Sequence, residues 1–255
     1  MAALLCLPFH ANAGDGFERL EALIARHAPA GAVPDLEAVR GACAGELRCA
    51  AETIAAAWPE GARLLAVPEA DPQLIRAGVV PRSVTLAHRV SPGVLRIRID
   101  RFGRRASGQV LGALAALRPG DRLEIDLRTH RGGSIARMLE VAGIFTGARP
   151  GAVRIVGRRG VIVFAIPAPP RRATIGPLDV LIGPDTRSSA EVLAALLHRY
   201  AGARLLGERT FGKNWAEQPL KVDAGWYLMV RAGEIRIDGE RLEGGLLPDA
   251  PPPGS

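Results

Sequence analysis

The sequence predicts an α/β fold: a sheet built largely from strand–helix–strand crossovers, preceded by a small helical N-terminal region. Three observations carry this expectation. From Gly93 onward, short apolar runs with period two alternate with stretches of helical spacing. Ahead of them, over 17–58, apolar residues recur every three or four positions. Between the two lies 59–92, with five prolines and no long periodic segment, which reads as an irregular connector.

Phe17, Leu20, Leu23 and Ile24 give the first helix one apolar face, and Pro29 to Pro34 break it. A second helical stretch covers 36–58, with interruption expected at Gly41 or Gly45. Val94-Leu95-Arg96-Ile97-Arg98-Ile99 alternates and predicts a strand, then a helix over 106–117 stopped by Arg118-Pro119-Gly120. A strand over 123–127, a helix over 134–145, strands over 153–156 and 161–166, a strand over 178–182 and a helix over 189–200 follow. Several short strands close the chain. The domain reading is a signal-peptide remnant over 1–13, a helical region with connector over 14–92, a core over 93–250 and a tail over 251–255.

Composition narrows the function classes. Hydrophobic residues make up 48% of the chain and aromatic ones 4%, so a sizeable, mostly aliphatic core can be buried. No run of eighteen apolar residues exists, which argues against a membrane span. The net charge of +7 comes from arginines scattered in ones and twos, with few aromatics among them to stack bases. A solvated basic face fits better than nucleic-acid binding. Residues 2–9 form a short apolar run, and Ala11-Asn12-Ala13 fits a small-x-small cleavage site, although a basic leader segment is missing. Export to the periplasm or the medium is the expectation. Cleavage would remove Cys6 and leave Cys43 and Cys49, which either close a disulfide or remain two buried thiols. No His or Cys set completes a metal site, so neither metal nor cofactor is expected.

The chemistry concentrates in three segments. Lys213, in Thr210-Phe211-Gly212-Lys213, is one of two lysines in a chain with 33 basic residues. A guanidinium cannot act as a base, whereas a desolvated amine can. A serine with a neutral lysine is a known arrangement for nucleophilic catalysis. Ser188, in Thr186-Arg187-Ser188-Ser189-Ala190-Glu191, falls where the strand over 178–182 turns into a helix, so the positive helix end and its unpaired amides lie close. The same four residues, Ser188 to Glu191, also fit a capping box, which needs no enzyme behind it. Asp126-Leu127-Arg128-Thr129-His130-Arg131-Gly132-Gly133 ends a strand in two glycines, which lets backbone amides face an oxyanion. It is not a P-loop, and no G-x-S-x-G elbow surrounds any serine. His130 and His198 read as structural or surface residues.

Together these segments resemble the C-terminal processing, or tail-specific, serine peptidases. That family carries Asp-Leu-Arg-x-Asn-x-Gly-Gly, then Ser-x-x-Glu, then Thr-Phe-Gly-Lys twenty-five residues after the serine. The likeness covers about 93–250, including Leu246-Leu247-Pro248-Asp249 near the end. It implies a ClpP/crotonase-like catalytic core and hydrolysis of protein or peptide substrates through a serine acyl-enzyme. Ser188 would be the nucleophile, Lys213 its general base and Glu191 a support of the pair. Gly133 or Gly132, with the amide of Ser189, would form the oxyanion hole. Apart from the motif, a neutral lysine needs burial, and the flanking Phe211 and Trp215 are expected to wall it from water. A homo-oligomer is compatible with the N-terminal region.

The departures are specific. His130 replaces the family's Asn, and Arg131 its proline. Glu217 stands four residues past Lys213 where many members have Gln, with Gln218 next. A carboxylate there would hold the proton on the lysine. Most members have a PDZ domain ahead of the core, for which 59–92 is too short, and no Gly-Leu-Gly-Phe loop occurs. The rival readings are a catalytically weak binding module on the same fold and a crotonase-type acyl-CoA enzyme, which would lack the Thr-Phe-Gly-Lys lysine.

Overall fold

The structure is a computed structural model that describes residues 16–28, 33–58, 61–66, 83–158, 160–171, 175–223, 226–242 and 244–252. Residues 1–13, where a signal-peptide remnant is expected, and most of the proline-rich stretch after residue 66 lie outside the described residues. In chain order the elements are α1 (Gly16–His27), α2 (Leu36–Ala42), α3 (Leu47–Ala57), β1 (Ala62–Ala66), β2 (Val84–Ser91), β3 (Val94–Ile99), α4 (Ala106–Leu114) and β4 (Arg122–Asp126). Then come α5 (Ile135–Thr146), β5 (Arg149–Gly157), β6 (Gly160–Ile166), β7 (Leu178–Ile182), α6 (Ser189–Ala201), β8 (Arg204–Gly207), β9 (Trp215–Asp223), β10 (Trp226–Ile237) and β11 (Glu240–Arg241). They form two compact units, Met1–Ala70 with Glu217–Ala232, and Asp71–Ala216 with Gly233–Ser255.

In the first unit, α1 buries Phe17, Leu20, Leu23 and Ile24, the stripe its spacing predicts. Val39, Ala50, Ala51 and Ile54 of α2 and α3 meet that stripe, as do Leu220, Leu228 and Val230 from late in the sequence. The break between α2 and α3 falls at Gly45, not at Gly41, which lies inside α2; Ala44 and Gly45 are both at positive φ. Cys43 and Cys49 are disulfide-bonded across this break. β1 alone would leave its ladder unpaired. It pairs antiparallel with β10, Ala62 opposite Val230 and Ala66 opposite Trp226. That need explains why residues from late in the chain return to this unit, a feature local periodicity does not announce. The connector expected to be irregular up to residue 92 therefore contains β1 and β2.

The second unit holds a five-stranded sheet in the order β2-β3-β4-β7-β8. β3, β4, β7 and β8 run parallel, while the edge strand β2 runs antiparallel to β3. β2 is exposed along most of both faces, so it lacks the alternation that marks β3. In β3, Leu95, Ile97 and Ile99 enter the core while Arg96 and Arg98 point away. Leu123, Ile125 and Leu127 from β4 and its end, and Val180 and Ile182 from β7, continue the layer. Met138, Val141 and Ile144 of α5 and Val192, Leu193 and Leu196 of α6 cover it. Each fully buried aliphatic side chain contributes about 1.5–3 kcal/mol. Acidic residues inside the sheet are matched to neighbours in register. Glu124 takes the guanidinium of Arg96 at 2.7 Å, and Asp179 takes Arg122 and Arg204 at 2.8 and 2.9 Å.

The Cys43–Cys49 bond closes a short loop in the first unit, so loop-closure entropy assigns it about 2 kcal/mol. A Cys43→Ser, Cys49→Ser variant is expected to unfold at correspondingly lower denaturant, read by circular dichroism. The unmodified chain is expected to shift in the same way when reductant is added.

Candidate active site

Parallel strands end their backbone pairing at one edge, and the loops leaving adjacent strands meet there. β4, β7 and β8 are neighbours in the sheet, and the segments following them are 127–134, 183–188 and 208–214. These are the three segments singled out by sequence. Hydrogen bonds to their main chain stitch them together. Thr186 Oγ1 donates to Leu127 O at 2.9 Å, Arg187 N–H to His130 O at 3.1 Å and Phe211 N–H to Thr186 O at 3.0 Å. At the start of the first loop, Asp126 accepts Arg128 N, Nε and Nη2 at 3.1, 2.9 and 2.7 Å. Burial alone would push the Asp126 carboxyl up. The Arg128 bonds outweigh it and hold the group below its usual range.

Ser188 is the N-cap of α6 and half-buried. Its backbone lies at φ 58, ψ −126, one of three non-glycine residues at positive φ among the described residues. That conformation costs a non-glycine residue about 1–3 kcal/mol and persists only where the surroundings impose it. It bends the chain sharply from the segment after β7 into α6, which is the geometry of a nucleophile elbow without the G-x-S-x-G sequence. Gly132 packs directly against this turn. A Cβ there would lie 2.9 Å from Ser188 Cβ and 3.0 Å from Arg187 O, and Gly132 has φ +94. Only glycine fits.

The imposing group is Glu191, which is 2% exposed. Its carboxylate accepts four hydrogen bonds. Oε2 takes the N–H of Ser188 at 2.7 Å and of Lys213 at 2.9 Å. Oε1 takes the Thr210 hydroxyl at 2.6 Å and the N–H of Gly212 at 2.7 Å. The carboxylate half of the capping box read from the sequence is made by Ser188 N–H on Glu191, and the same carboxylate serves the lysine segment. One carboxylate therefore caps α6 and holds the main chain of the lysine segment. Thr210 Oγ1 also accepts Leu246 N–H at 2.7 Å, which ties in the Leu246–Asp249 motif.

The amides near Ser188 divide into bonded and unbonded ones. Gly132 N–H donates to His130 Nδ1 at 3.0 Å. Ser189 Oγ donates to Gly133 O at 3.2 Å. The N–H groups of Gly133 and Ser189 have no hydrogen-bond partner among the described residues. Of the two glycines the sequence offered as oxyanion donors, Gly133 has the unengaged amide. His130 is 0% exposed, with its ring 4.2 Å from that of Phe102. Burial is the main cause that lowers its pKa to about 4, and Arg101 adds to it against Asp100. The ring is therefore neutral near pH 7.

Lys213 Nζ lies 5.7 Å from the centroid of the Trp215 ring. The second wall expected of Phe211 is absent: that ring is 52% exposed and carries the Arg187 guanidinium at 4.3 Å. In the first unit, the Glu217 carboxylate is held by Arg63 at 3.0 and 2.7 Å, and the Gln218 side chain meets the His27 ring at 3.0 Å. His198 sits at the C-terminal end of α6, its Nδ1 2.8 Å from Ala203 O, in a structural role. A cavity of about 470 Å³ lined by Ala195, Arg199, Ile237 and Leu246, among others, contains none of the predicted site residues. No group of three His, Cys, Asp or Glu able to hold a metal occurs among the described residues. Nor is any described helix long and apolar enough to cross a membrane.

The family model described as Peptidase family S41 matches residues 93–251. The chain belongs to peptidase family S41. Among S41 relatives, a carboxyl-terminal-processing protease of Picosynechococcus is 29% identical over 157 residues, covering 60% of this chain and 37% of that protein. Carboxyl-terminal-processing peptidase 2 of Arabidopsis thaliana chloroplasts is 30% identical over 172 residues, covering 65% and 33%. The chain thus spans about a third of the length of the curated relatives it matches. A solved photosystem II D1 C-terminal processing protease shares the fold, with TM-score 0.53 and 21% identity over 75% of this chain and 48% of that one.

His130 and Thr210 are the site residues whose roles local sequence reasoning missed. Thr210 heads the Thr-Phe-Gly-Lys motif, which was the available signal. His130 stands at the family's Asn position, and both side chains can accept a hydrogen bond.

The neutral, buried His130 has a stability consequence with a definite sign. Its folded pKa, about 4, lies below the unfolded value of 6.5. Between those values the unfolded chain binds more protons, so stability falls as pH drops through that window and is unaffected above it. The whole window is worth about 3 kcal/mol. Urea unfolding across the window should show this loss in the unmodified chain, and His130→Asn should lose less by about that amount.

Proposed function

We propose that the chain is a serine endopeptidase that hydrolyses peptide bonds of protein substrates through Ser188 and Lys213. The observation that carries this reading is the Glu191 carboxylate, which takes the main-chain N–H groups of both residues on one oxygen. The strained elbow at Ser188 supports it, because positive φ at a serine is expensive and is kept where it aims a side chain.

Ser188 Oγ attacks the scissile carbonyl carbon while its proton passes to the amine of Lys213. The new C–O bond leaves negative charge on the former carbonyl oxygen. The N–H groups of Gly133 and Ser189 are the donors for that charge, reinforced by the positive end of α6. Collapse breaks the C–N bond, and the leaving amine takes the proton held by Lys213. Water, deprotonated by the same lysine, then cleaves the acyl-serine ester. Lysine suits this role where arginine would not, since a guanidinium does not give up its proton. Glu191 acts by positioning, through the main-chain N–H groups of Ser188 and Lys213. The Cys43–Cys49 bond supports an oxidising compartment, periplasmic or extracellular.

Unfolded casein incubated with the unmodified chain, Ser188→Ala, Lys213→Ala and Lys213→Arg tests the reading. Hydrolysis by the unmodified chain is expected, with kcat lower by about 10²–10⁴ in both lysine variants. Lys213→Arg should keep the same unfolding midpoint. Casein left intact by the unmodified chain would replace the peptidase with a binding module on the same fold.

A further inference from the structure

We infer that His130 is a positioning residue that fixes the oxyanion loop by accepting the Gly132 amide on Nδ1. The inference deepens the proposed function and rests on it. Gly132 and Gly133 lie at φ +94 and φ +149, so two consecutive residues lack a Cβ to restrict them. Left alone, such a pair samples many peptide orientations, and only some would aim the Gly133 N–H at substrate. The structure pins the pair at both ends. Before it, Gly132 N–H is held by His130 Nδ1 at 3.0 Å. After it, Gly133 O is held by Ser189 Oγ at 3.2 Å. The unengaged N–H of Gly133 lies between the two pins.

The ring itself indicates that this bond is its purpose. His130 is fully buried, and its Nε2 has no hydrogen-bond partner among the described residues. An acceptor at Nδ1 must be unprotonated, so the neutral ring carries its proton on Nε2, where the donor goes unsatisfied. A buried donor without a partner is destabilising. A leucine would fill the same space without that cost. The imidazole is explained by the Gly132 bond, not by packing on Phe102. The main chain of His130 serves the same end, since its carbonyl accepts Arg187 N–H at 3.1 Å, next to the nucleophile. The geometry is that of an Asx turn, in which a side-chain acceptor takes the amide two residues ahead. Nδ1 of His and Oδ1 of Asn are the same number of bonds from Cα, so asparagine can replace this function and leucine cannot.

The test compares His130→Leu and His130→Asn with the unmodified chain, using fluorescein-labelled casein and thermal unfolding. His130→Leu is expected to lose about 10²-fold in kcat with little change in KM, the size of effect seen when an oxyanion donor is lost. Its unfolding temperature should be unchanged or raised, because the unsatisfied donor is gone. His130→Asn should recover most of kcat. Full activity in His130→Leu would overturn the inference, as would a loss accompanied by a lower unfolding temperature that Asn does not restore. Independently of activity, ¹⁵N spectra of the ring should show Nε2 protonated and Nδ1 bare at neutral pH, and the opposite tautomer would also overturn it. Absence of Ser188-dependent cleavage in the unmodified chain would instead sink the peptidase reading, which separates the two failures.

Discussion

One buried carboxylate organises this site. Glu191 has its two oxygens fully used by Ser188 N–H, Lys213 N–H, Gly212 N–H and the Thr210 hydroxyl. A carboxylate at 2% exposure is costly unless its charge is met, and here four donors meet it. Three of those donors are main-chain amides, so the bonds fix the backbone positions of Ser188, Gly212 and Lys213. The helix bearing Glu191 is itself anchored in the core by Val192, Leu193, Leu196 and Leu197. Aliphatic packing in the second unit is thereby transmitted, through a single side chain, to the main chain at Ser188 and Lys213.

Much of this was legible in the residues. β3 was plain from the alternation of Leu95, Ile97 and Ile99 with arginines, and α1 from its apolar stripe. The three motif segments were found because each combines an unusual residue with a strand end. What stayed hidden was non-local. β2 is exposed on both faces and so has no period to read. β1 depends on β10, more than 160 positions away, and no local pattern signals that pairing. At the site, Ser188 and Glu191 were recognisable as a capping box, but the same spacing serves a plain helix cap, and only the Lys213 and Gly212 amides on that carboxylate tell the two apart. His130 was dismissed as structural on residue type alone. Its burial supports that view, while its Nδ1 bond to Gly132 connects the structure to the chemistry.

The departures from family pattern acquire physical content in the same way. His130 keeps an acceptor where Asn would have one. Arg131 is exposed and lies 3.4 Å from Asp185, a carboxylate it shares with Arg187. The Glu217 carboxylate, whose proximity in sequence to Lys213 raised the concern of a trapped proton, is neutralised by a two-point bond with Arg63.

The central claim is that Glu191 holds Ser188 and Lys213 through their main chains. Amide hydrogen exchange read by NMR at Ser188, Gly212 and Lys213 tests it most directly. In the unmodified chain these three amides are expected to exchange slowly and with similar protection. In Glu191→Gln, which keeps the volume but replaces one acceptor oxygen with a donor, all three should exchange faster together while the β4 and β7 amides stay protected. Unchanged protection of Ser188 and Lys213 in that variant would contradict the account.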